Sequence, residues 1–315
     1  MLLRVASISD LAAGIKGFDL TSVDGTALEP FSAGSHIVLQ TAAGLRQYSL
    51  CNDPCERMKY RIAVLREPNG RGGSKYLHDN VKVGDTLHME RVMNNFPLHM
   101  TARRHMLLAG GIGVTPMLSM IASLSAAGAE FHMHYCTQTP TKTAFLDALS
   151  SFVEAGRVTH YFDNGNPDNG LNMREALREA GVDTHLYYCG PSGFMAAAKA
   201  ASAHWPVYNV HFEHFAAPSG TEPTHHGPGR LFRVRIASTG CEFEIPPGRT
   251  IAEVLRESGV DIQTSCEEGH CGTCMTAFLE GEPEHRDQLL DDEARSSYML
   301  ICCSRSKSDV LVLDL

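Results

Sequence analysis

LLAGGIGVTPM, residues Leu107 to Met117, reads as an apolar strand, a glycine-rich turn and the opening of a helix. Thr115 is a good N-cap and Pro116 is favoured at the first helical position, so the spacing predicts a helix over Pro116 to Ala127. Glycines at such a turn let the backbone approach a pyrophosphate, and a helix N-terminus favours anions. The last position of the dinucleotide fingerprint is Pro here, so the turn is not a standard match. On either side, strands alternate with helices. His105 to Ala109, Phe131 to Cys136, Val158 to Phe162, His185 to Cys189 and Val207 to Phe212 read as strands. Ala144 to Ala155 and Gly193 to His204 read as helices. This alternation implies a parallel sheet covered on both faces. LYYCGPSGF, Leu186 to Phe194, is a second strand, turn and helix start. Two such turns at the carboxyl ends of one sheet predict a ligand crevice. Taken alone, Cys189 reads equally as a buried apolar thiol.

Before Arg103 the pattern changes. His36 to Gln40, Gln47 to Leu50, Tyr60 to Leu65 and Thr86 to Glu90 are short strand-like runs between Gly and Asp turns, which suggests a small β-barrel. This part carries Arg46-Gln47-Tyr48-Ser49 in a strand and Gly70-Arg71-Gly72-Gly73-Ser74 before a short helical run. Arg and a Gly-Gly-Ser turn suit a phosphate, and Tyr and Ser suit a ring face and a polar ring edge. Singly, Arg46 reads as well as a surface charge and Tyr48 as a barrel core residue. Beyond the sheet, AAPSGTEPTHHGPG, Ala216 to Gly229, has three Pro, three Gly and no apolar run, as a solvated linker does. It is followed by paired strand patterns at Leu231 to Ile236 and Glu242 to Ile245. A helical face of Ile251, Val254 and Leu255 lies within Thr250 to Ser258. The 315 residues thus divide into a barrel domain (1–103), an α/β domain (104–216), a linker (217–229) and a C-terminal α+β domain (230–315).

In that last domain Cys266, Cys271 and Cys274 stand in SCEEGHCGTC, with Cys302 and Cys303 further on. This is the C-x4-C-x2-C…C spacing of a [2Fe–2S] site. Two irons and two sulfides need four thiolates from a loop that can wrap them. Structural zinc sites instead pair two short C-x2-C knuckles, which are absent from this spacing. His270, within the loop, reads as solvent-facing, because a Rieske centre needs two His at another spacing. The region resembles plant-type ferredoxins, whose last Cys follows an apolar residue; the resemblance implies Cys302, after Leu300 and Ile301, as the fourth ligand, and Cys303 would face away, as neighbours in a strand do.

The chain carries 27 Lys and Arg against 36 Asp and Glu, a net −9, which argues against nucleic acid as a partner. From Arg230 onward nine cations face sixteen acids, a net −7. Glu280, Glu282, Glu284, Asp287, Asp291, Asp292 and Glu293 form an acidic run that would steer a basic partner surface. No stretch is long and apolar enough to span a bilayer. MLLRVASISD lacks the pattern of a secretory signal, so the expectation is a cytoplasmic protein with reduced thiols.

Together these elements resemble the ferredoxin–NADP⁺ reductase superfamily, and their order resembles the phthalate dioxygenase reductase and vanillate O-demethylase reductase family within it. The resemblance is carried by RQYSLCNDP (Arg46 to Pro54), NGRGGS (Asn69 to Ser74), NNFPL (Asn94 to Leu98), AGGIGVTPMLSM (Ala109 to Met120), YCGPSGFM (Tyr188 to Met195), SCEEGHCGTC and CCSRSKS (Cys302 to Ser308). It implies a flavin barrel, a nicotinamide domain and a plant-type ferredoxin of β-grasp form. FMN would be the flavin, with Arg46, Gln47, Tyr48 and Ser49 in contact and Ser49 near N5. Ala63, Val64 and Leu65 would lie along the isoalloxazine edge, and Arg71, Gly72, Gly73 and Ser74 would hold the phosphate. Gly110, Gly111, Gly113, Thr115 and Pro116 would line the dinucleotide site. Cys189, Gly190 and Pro191 would sit by the nicotinamide, and Phe215 would shield the flavin face. Ser49, Cys189 and Phe215 would thus flank the reacting atoms. The implied activity passes electrons from NADH through flavin and cluster to a terminal Rieske non-haem iron oxygenase. The reductase itself would be monomeric. NADH rests on the resemblance, since Cys136 to Pro140 offers neither a carboxylate for a ribose nor an Arg for a 2′-phosphate. A reductase for another acceptor and a redox-sensing iron–sulfur flavoprotein are the alternatives.

Overall fold

The computed structural model describes all residues except 71, 182, 216–229, 263, 265–268, 270, 271, 273, 288 and 291, and the side chain of 207. Arg71, Cys266, His270, Cys271, Asp291 and the expected linker therefore lie outside the described residues. The chain packs as two units, Met1–Phe215 and Ala216–Leu315.

The first unit opens with β1 (Leu2–Ala12), β2 (Ile15–Ser22), β3 (His36–Thr41), β4 (Gly44–Ser49), β5 (Tyr60–Leu65), α1 (Gly73–Asp79) and β6 (Thr86–Met93). Among the described residues these strands form one antiparallel sheet in the order β4-β3-β6-β1-β2-β5. A bridge from Leu50 to Ile62 joins its two ends and curls it into a barrel. The period of two along each strand sends Leu3 and Val5, Phe18 and Leu20, and Ile37 and Leu39 into one core. Each such side chain contributes roughly 1.5–3 kcal/mol by leaving water.

The α/β part follows as β7 (Arg104–Gly110), α2 (Val114–Ala126), β8 (Glu130–Thr137), α3 (Leu146–Glu154), β9 (Val158–Phe162), α4 (Met173–Ala176), β10 (Thr184–Cys189), α5 (Ser192–Ala201) and β11 (Val210–Glu213). Its five described strands are all parallel, ordered β11-β10-β7-β8-β9. Three details differ from the sequence expectation. The first helix starts at Val114, because Gly111–Gly113 is already wound as a 3₁₀ turn and leads straight into it. Thr115 is therefore not the cap, and its hydroxyl turns back to donate to the Ile112 carbonyl at 3.0 Å. The helix expected from Ala144 begins only at Leu146, because Phe145 holds a left-handed φ of 65°. The strand expected from Val207 starts at Val210. Pro206 opens a 3₁₀ turn there, closed by the Asn209 N–H donating to the Pro206 carbonyl at 2.9 Å.

The second unit holds β12 (Phe232–Ile236), β13 (Glu242–Ile245), α6 (Ile251–Glu257), β14 (Met275–Glu280), β15 (Pro283–Glu284), α7 (Asp292–Arg295), β16 (Tyr298–Leu300), β17 (Arg305–Ser306) and β18 (Val310–Leu313). Its larger sheet is mixed, in the order β13-β12-β18-β14-β16 among the described residues, with β12 and β18 parallel. Thr250 and Glu253 cap α6 reciprocally, each side chain accepting from the other's backbone N–H. Ile251 and Leu255 then enter the core with Phe232, Val234 and Leu311. The buried Arg305 side chain donates to the carbonyls of Arg249, Arg230 and Pro246 and lies over the Phe232 ring. It ties the strand end to the turn before α6.

The acidic run is less open than its count suggests. Glu280 pairs with Arg235, Glu282 with Lys307 and Glu284 with Arg286. Asp287 is buried, accepting from the Leu290 N–H at 2.9 Å and facing Arg295. Four carboxylates of the run, among the described residues, thus stand beside cations that the count of nine against sixteen already includes, so the net −7 is unchanged.

Three histidines of the first unit, His36, His134 and His211, have pKa values lowered to about 4, in each case chiefly by burial. Arg91 adds to this for His36 and His132 for His134, while His99, His185 and His105 add to it for His211. Folding thus holds these rings neutral in a range where the unfolded chain binds protons. The stability they permit is complete above the ordinary value of 6.5 and is lost as pH falls toward 4. The melting temperature of the first unit is expected to fall steadily from pH 7 to pH 5. An unchanged value over that span would contradict the burial of these rings.

Candidate functional site

The barrel and the sheet meet along a seam. The cross-strand pair His36 and Ser49 ends the β3–β4 hairpin. Opposite them Glu213 ends β11, level with Cys189 at the end of β10. The Ser49 hydroxyl donates to Glu213 Oε2 at 3.5 Å, and His36 Nδ1 lies 3.8 Å from Glu213 Oε1. Cys189 is fully buried, and burial with the nearby Glu213 carboxylate pushes its thiol well above the usual range. The thiol is therefore neutral, within the core of the α/β part. Two sequence-derived site residues from different domains, Ser49 and Cys189, are thus brought to one carboxylate. Sequence reasoning did not single out His36. A hairpin turning at Ala42 and Ala43 pairs His36 with Ser49, so half of that group was open to inference.

Around Ser49 the expected flavin contacts divide. Tyr48 packs against the barrel core, so its ring is half committed there. Ala63 and Leu65 face the seam with Ile15, Ile112 and Ala144, whereas Val64 points into the barrel core. Three consecutive strand residues cannot line one edge with their side chains. Only Ala63 and Leu65 offer side chains there. Arg46 crosses to the start of α1, where a Cβ on Gly73 would lie 2.5 Å from its Cγ. The absence of a side chain at Gly73 is what lets the guanidinium stem reach that turn. Gly72 there has a φ of 88°, and Ser74 Oγ accepts from the Glu67 N–H at 3.1 Å. Phe215 is 40% exposed and packs into no core among the described residues. These residues fit a phosphate and an isoalloxazine: a cation beside a glycine turn, a seam of small apolar side chains, and a hydroxyl at its end.

The two nucleotide turns touch. A Cβ on Gly113 would lie 2.2 Å from the Cys189 carbonyl oxygen, and one on Gly190 would lie 3.0 Å from Gly110 Cα. The first turn therefore nests against the end of β10, and both open at the carboxyl edge of the sheet. Gly110, Val114, Thr115 and Pro116 are buried, so Gly111 and Gly190 supply the surface that a dinucleotide would meet.

In the second unit the Cys302 thiol lies within hydrogen-bonding reach of the Cys274 and Cys303 thiols, and this contact and burial push its pKa far above the ordinary value. Crowded thiols that resist ionisation in this way become thiolates once cations stand among them, as iron would. Cys302 and Cys303 sit in the turn after β16, not within a strand, so alternation does not send them apart. Burial distinguishes them, with Cys302 3% exposed and Cys303 half-buried. Gly269, at φ 77°, passes so close to Cys303 that a Cβ there would lie 2.6 Å from its sulfur. The donor set fits an iron–sulfur cluster, with Cys266 and Cys271 outside the described residues. Among the described residues no helix is long and apolar enough to cross a membrane.

Comparison with known proteins gives two family matches, an oxidoreductase NAD-binding domain at residues 107–200 and a 2Fe-2S iron-sulfur cluster binding domain at residues 234–307. The chain is 44% identical to the tert-butanol monooxygenase / tert-amyl alcohol desaturase reductase subunit of Aquincola tertiaricarbonis, over 99% of this chain and 95% of that protein. It is 42% identical to the vanillate O-demethylase oxidoreductase of Pseudomonas putida, over 99% and 98%. The solved structure of phthalate dioxygenase reductase, described as a modular structure for electron transfer from pyridine nucleotides to [2Fe-2S], superposes with a TM-score of 0.75. It is 41% identical and covers 100% of this chain and 98% of its own.

Proposed function

The chain belongs to the phthalate dioxygenase reductase and vanillate O-demethylase reductase family, and on that premise we propose that it is the NADH-oxidising reductase subunit of a two-component oxygenase. The observation that carries the reading is the meeting of Ser49 and Cys189 at Glu213, which joins a flavin-type barrel to a nicotinamide-type sheet at one point. When bound, the flavin accepts a hydride from the nicotinamide and releases its electrons singly to the cluster. The residues of this chain supply placement. Arg46 and the turn at Gly72 to Ser74 hold the flavin phosphate, and FMN is the flavin that the family resemblance favours over FAD. Ala63 and Leu65 keep water from the ring edge, and Phe215 covers its face. Gly111 and Gly190 let the dinucleotide approach, and Cys189 offers an uncharged sulfur beside the nicotinamide. Cys266, Cys271, Cys274 and Cys302 hold the cluster. The acceptor is a terminal Rieske oxygenase component, the role that the reductase-subunit names of the relatives point to. Its substrate binds that partner.

Anaerobic titration of the holoprotein tests this. NADH is expected to bleach the flavin bands first and the cluster bands next, and to drive cytochrome c reduction, with kcat/KM greater for NADH than for NADPH. Mass measurement of the released flavin distinguishes FMN from FAD. A protein that carries both centres and is bleached by neither coenzyme is not a reductase.

A further inference from the structure

This inference rests on the cluster half of the reductase reading above. Asp287 is a carboxylate sealed within the second unit, its side chain 0% exposed. Its Oδ2 accepts from the Leu290 N–H at 2.9 Å and lies 3.5 Å from Arg295 Nη2, which also donates to the Asp287 carbonyl at 3.0 Å. Its Oδ1 has no hydrogen-bond partner, and neither has Nδ1 of His285, 3.6 Å away. A buried carboxylate oxygen left dry is costly and calls for a reason. The surroundings supply one. Gly269 stands between Cys266 and Cys271 in the chain. A Cβ on Gly269 would lie 3.1 Å from Asp287 Cα, 3.3 Å from Asp287 Cβ and 2.6 Å from Cys303 Sγ. Asp287 thus packs against a residue that lies between two of the proposed cluster ligands, and Cys303, next to the proposed ligand Cys302, packs against the same residue.

We propose that Asp287 sets the reduction potential of the cluster, holding it lower than the thiolates alone would, so that an electron delivered there is passed on to the acceptor and not kept. A cluster gains one negative charge on reduction. A fixed anion nearby disfavours that form, and a fixed cation favours it. Burial is what gives Asp287 this reach. Glu280 and Glu282 are exposed, so water and salt screen their fields. Asp287 is dry, and a charge in the interior acts over a greater distance. Its cation, Arg295, is 35% exposed and meets only one of the two carboxylate oxygens, so water screens the cation more than the anion. Arg286, the nearest cation along the chain, is held by Glu284 at 2.8 and 3.0 Å. The Leu290 N–H fixes the carboxylate in place without cancelling its charge.

The test is a mediated dithionite titration of the holoprotein, with the reduced cluster followed by electron paramagnetic resonance. D287N keeps an oxygen for the Leu290 N–H and removes the charge. Its cluster is expected to be reduced more easily, by about tenfold in the one-electron equilibrium, or ~59 mV. R295Q removes the cation and leaves the anion, so its potential is expected to move the opposite way and by less. An unmoved potential in D287N, or shifts of one sign in both variants, would leave Asp287 a turn-capping residue and overturn the proposal. Cluster absorbance per chain shows that each variant is loaded. Should D287N fail to retain its cluster, R295Q decides: a lowered potential supports the proposal, and an unmoved or raised one overturns it. The titration uses no NADH, so its outcome is separate from the reductase reading, which falls if NADH fails to reduce the flavin of the unaltered protein.

Discussion

Replacing Cys302 by Ser is expected to remove the cluster and at least ~100-fold of the electron delivery to cytochrome c, since losing even a hydrogen-bond partner of a metal ligand costs roughly 10–100-fold in metal affinity. The reason is chemical. The buried turn after β16 offers a sulfur next to Cys274, and a serine hydroxyl there does not ionise to bind iron at neutral pH. The flavin half should survive, because Met1–Phe215 packs as its own unit. Ferricyanide reduction by NADH, which can draw electrons from the flavin directly, should stay close to that of the unaltered protein. C303S is the control, and its cluster absorbance should persist. Cluster loss in C303S with retention in C302S would reverse the assignment of the fourth ligand.

The second large effect is expected at the nucleotide turn. Gly113→Ala places a methyl 2.2 Å from the Cys189 carbonyl oxygen and 2.4 Å from its carbon. Both are backbone atoms of β10, held in the middle of a parallel sheet between β7 and β11, so neither can swing aside. The turn must move by about 1 Å, and a displacement of that size at a binding loop costs on the order of 100-fold in kcat/KM. The NADH KM is expected to rise steeply and the melting temperature to fall, while dithionite still reduces both centres. Gly111→Ala is the contrast. Gly111 has a φ of 53° but nothing within 4 Å of an added Cβ, so the change costs only the strain of a left-handed residue, about 1 kcal/mol. Equal behaviour of the two variants would show that close packing against β10 does not shape the site.

Much of this molecule was readable before folding. Tyr60 to Leu65 and Val158 to Phe162 are strands with the bounds expected of them. α6 starts behind the Thr250 cap that its sequence announces. Local rules govern such elements: periodicity, caps and turn residues act over a few positions. Where expectation slipped, a local backbone state intervened. Phe145 in a left-handed conformation delays a helix, and a 3₁₀ turn after Pro206 delays a strand. The ion pairs within the acidic run were not legible in advance, because Arg235 and Lys307 lie 45 and 25 residues from their partners.

By itself the amino-acid order determined the succession of barrel, α/β domain and cysteine-rich domain, along with the glycine turns and the thiol spacing. These are properties of neighbouring residues, set by steric and hydrogen-bonding preferences that need no distant partner. Only the tertiary structure decided that Ser49 faces Glu213, 164 residues away, that Cys189 stands beside that carboxylate, and that His36 is closed in behind both with its nitrogens unpaired. Packing of the barrel on the sheet brings these groups together. No pattern along the chain encodes which strand end will meet which, because that is settled by how two separately formed cores fit.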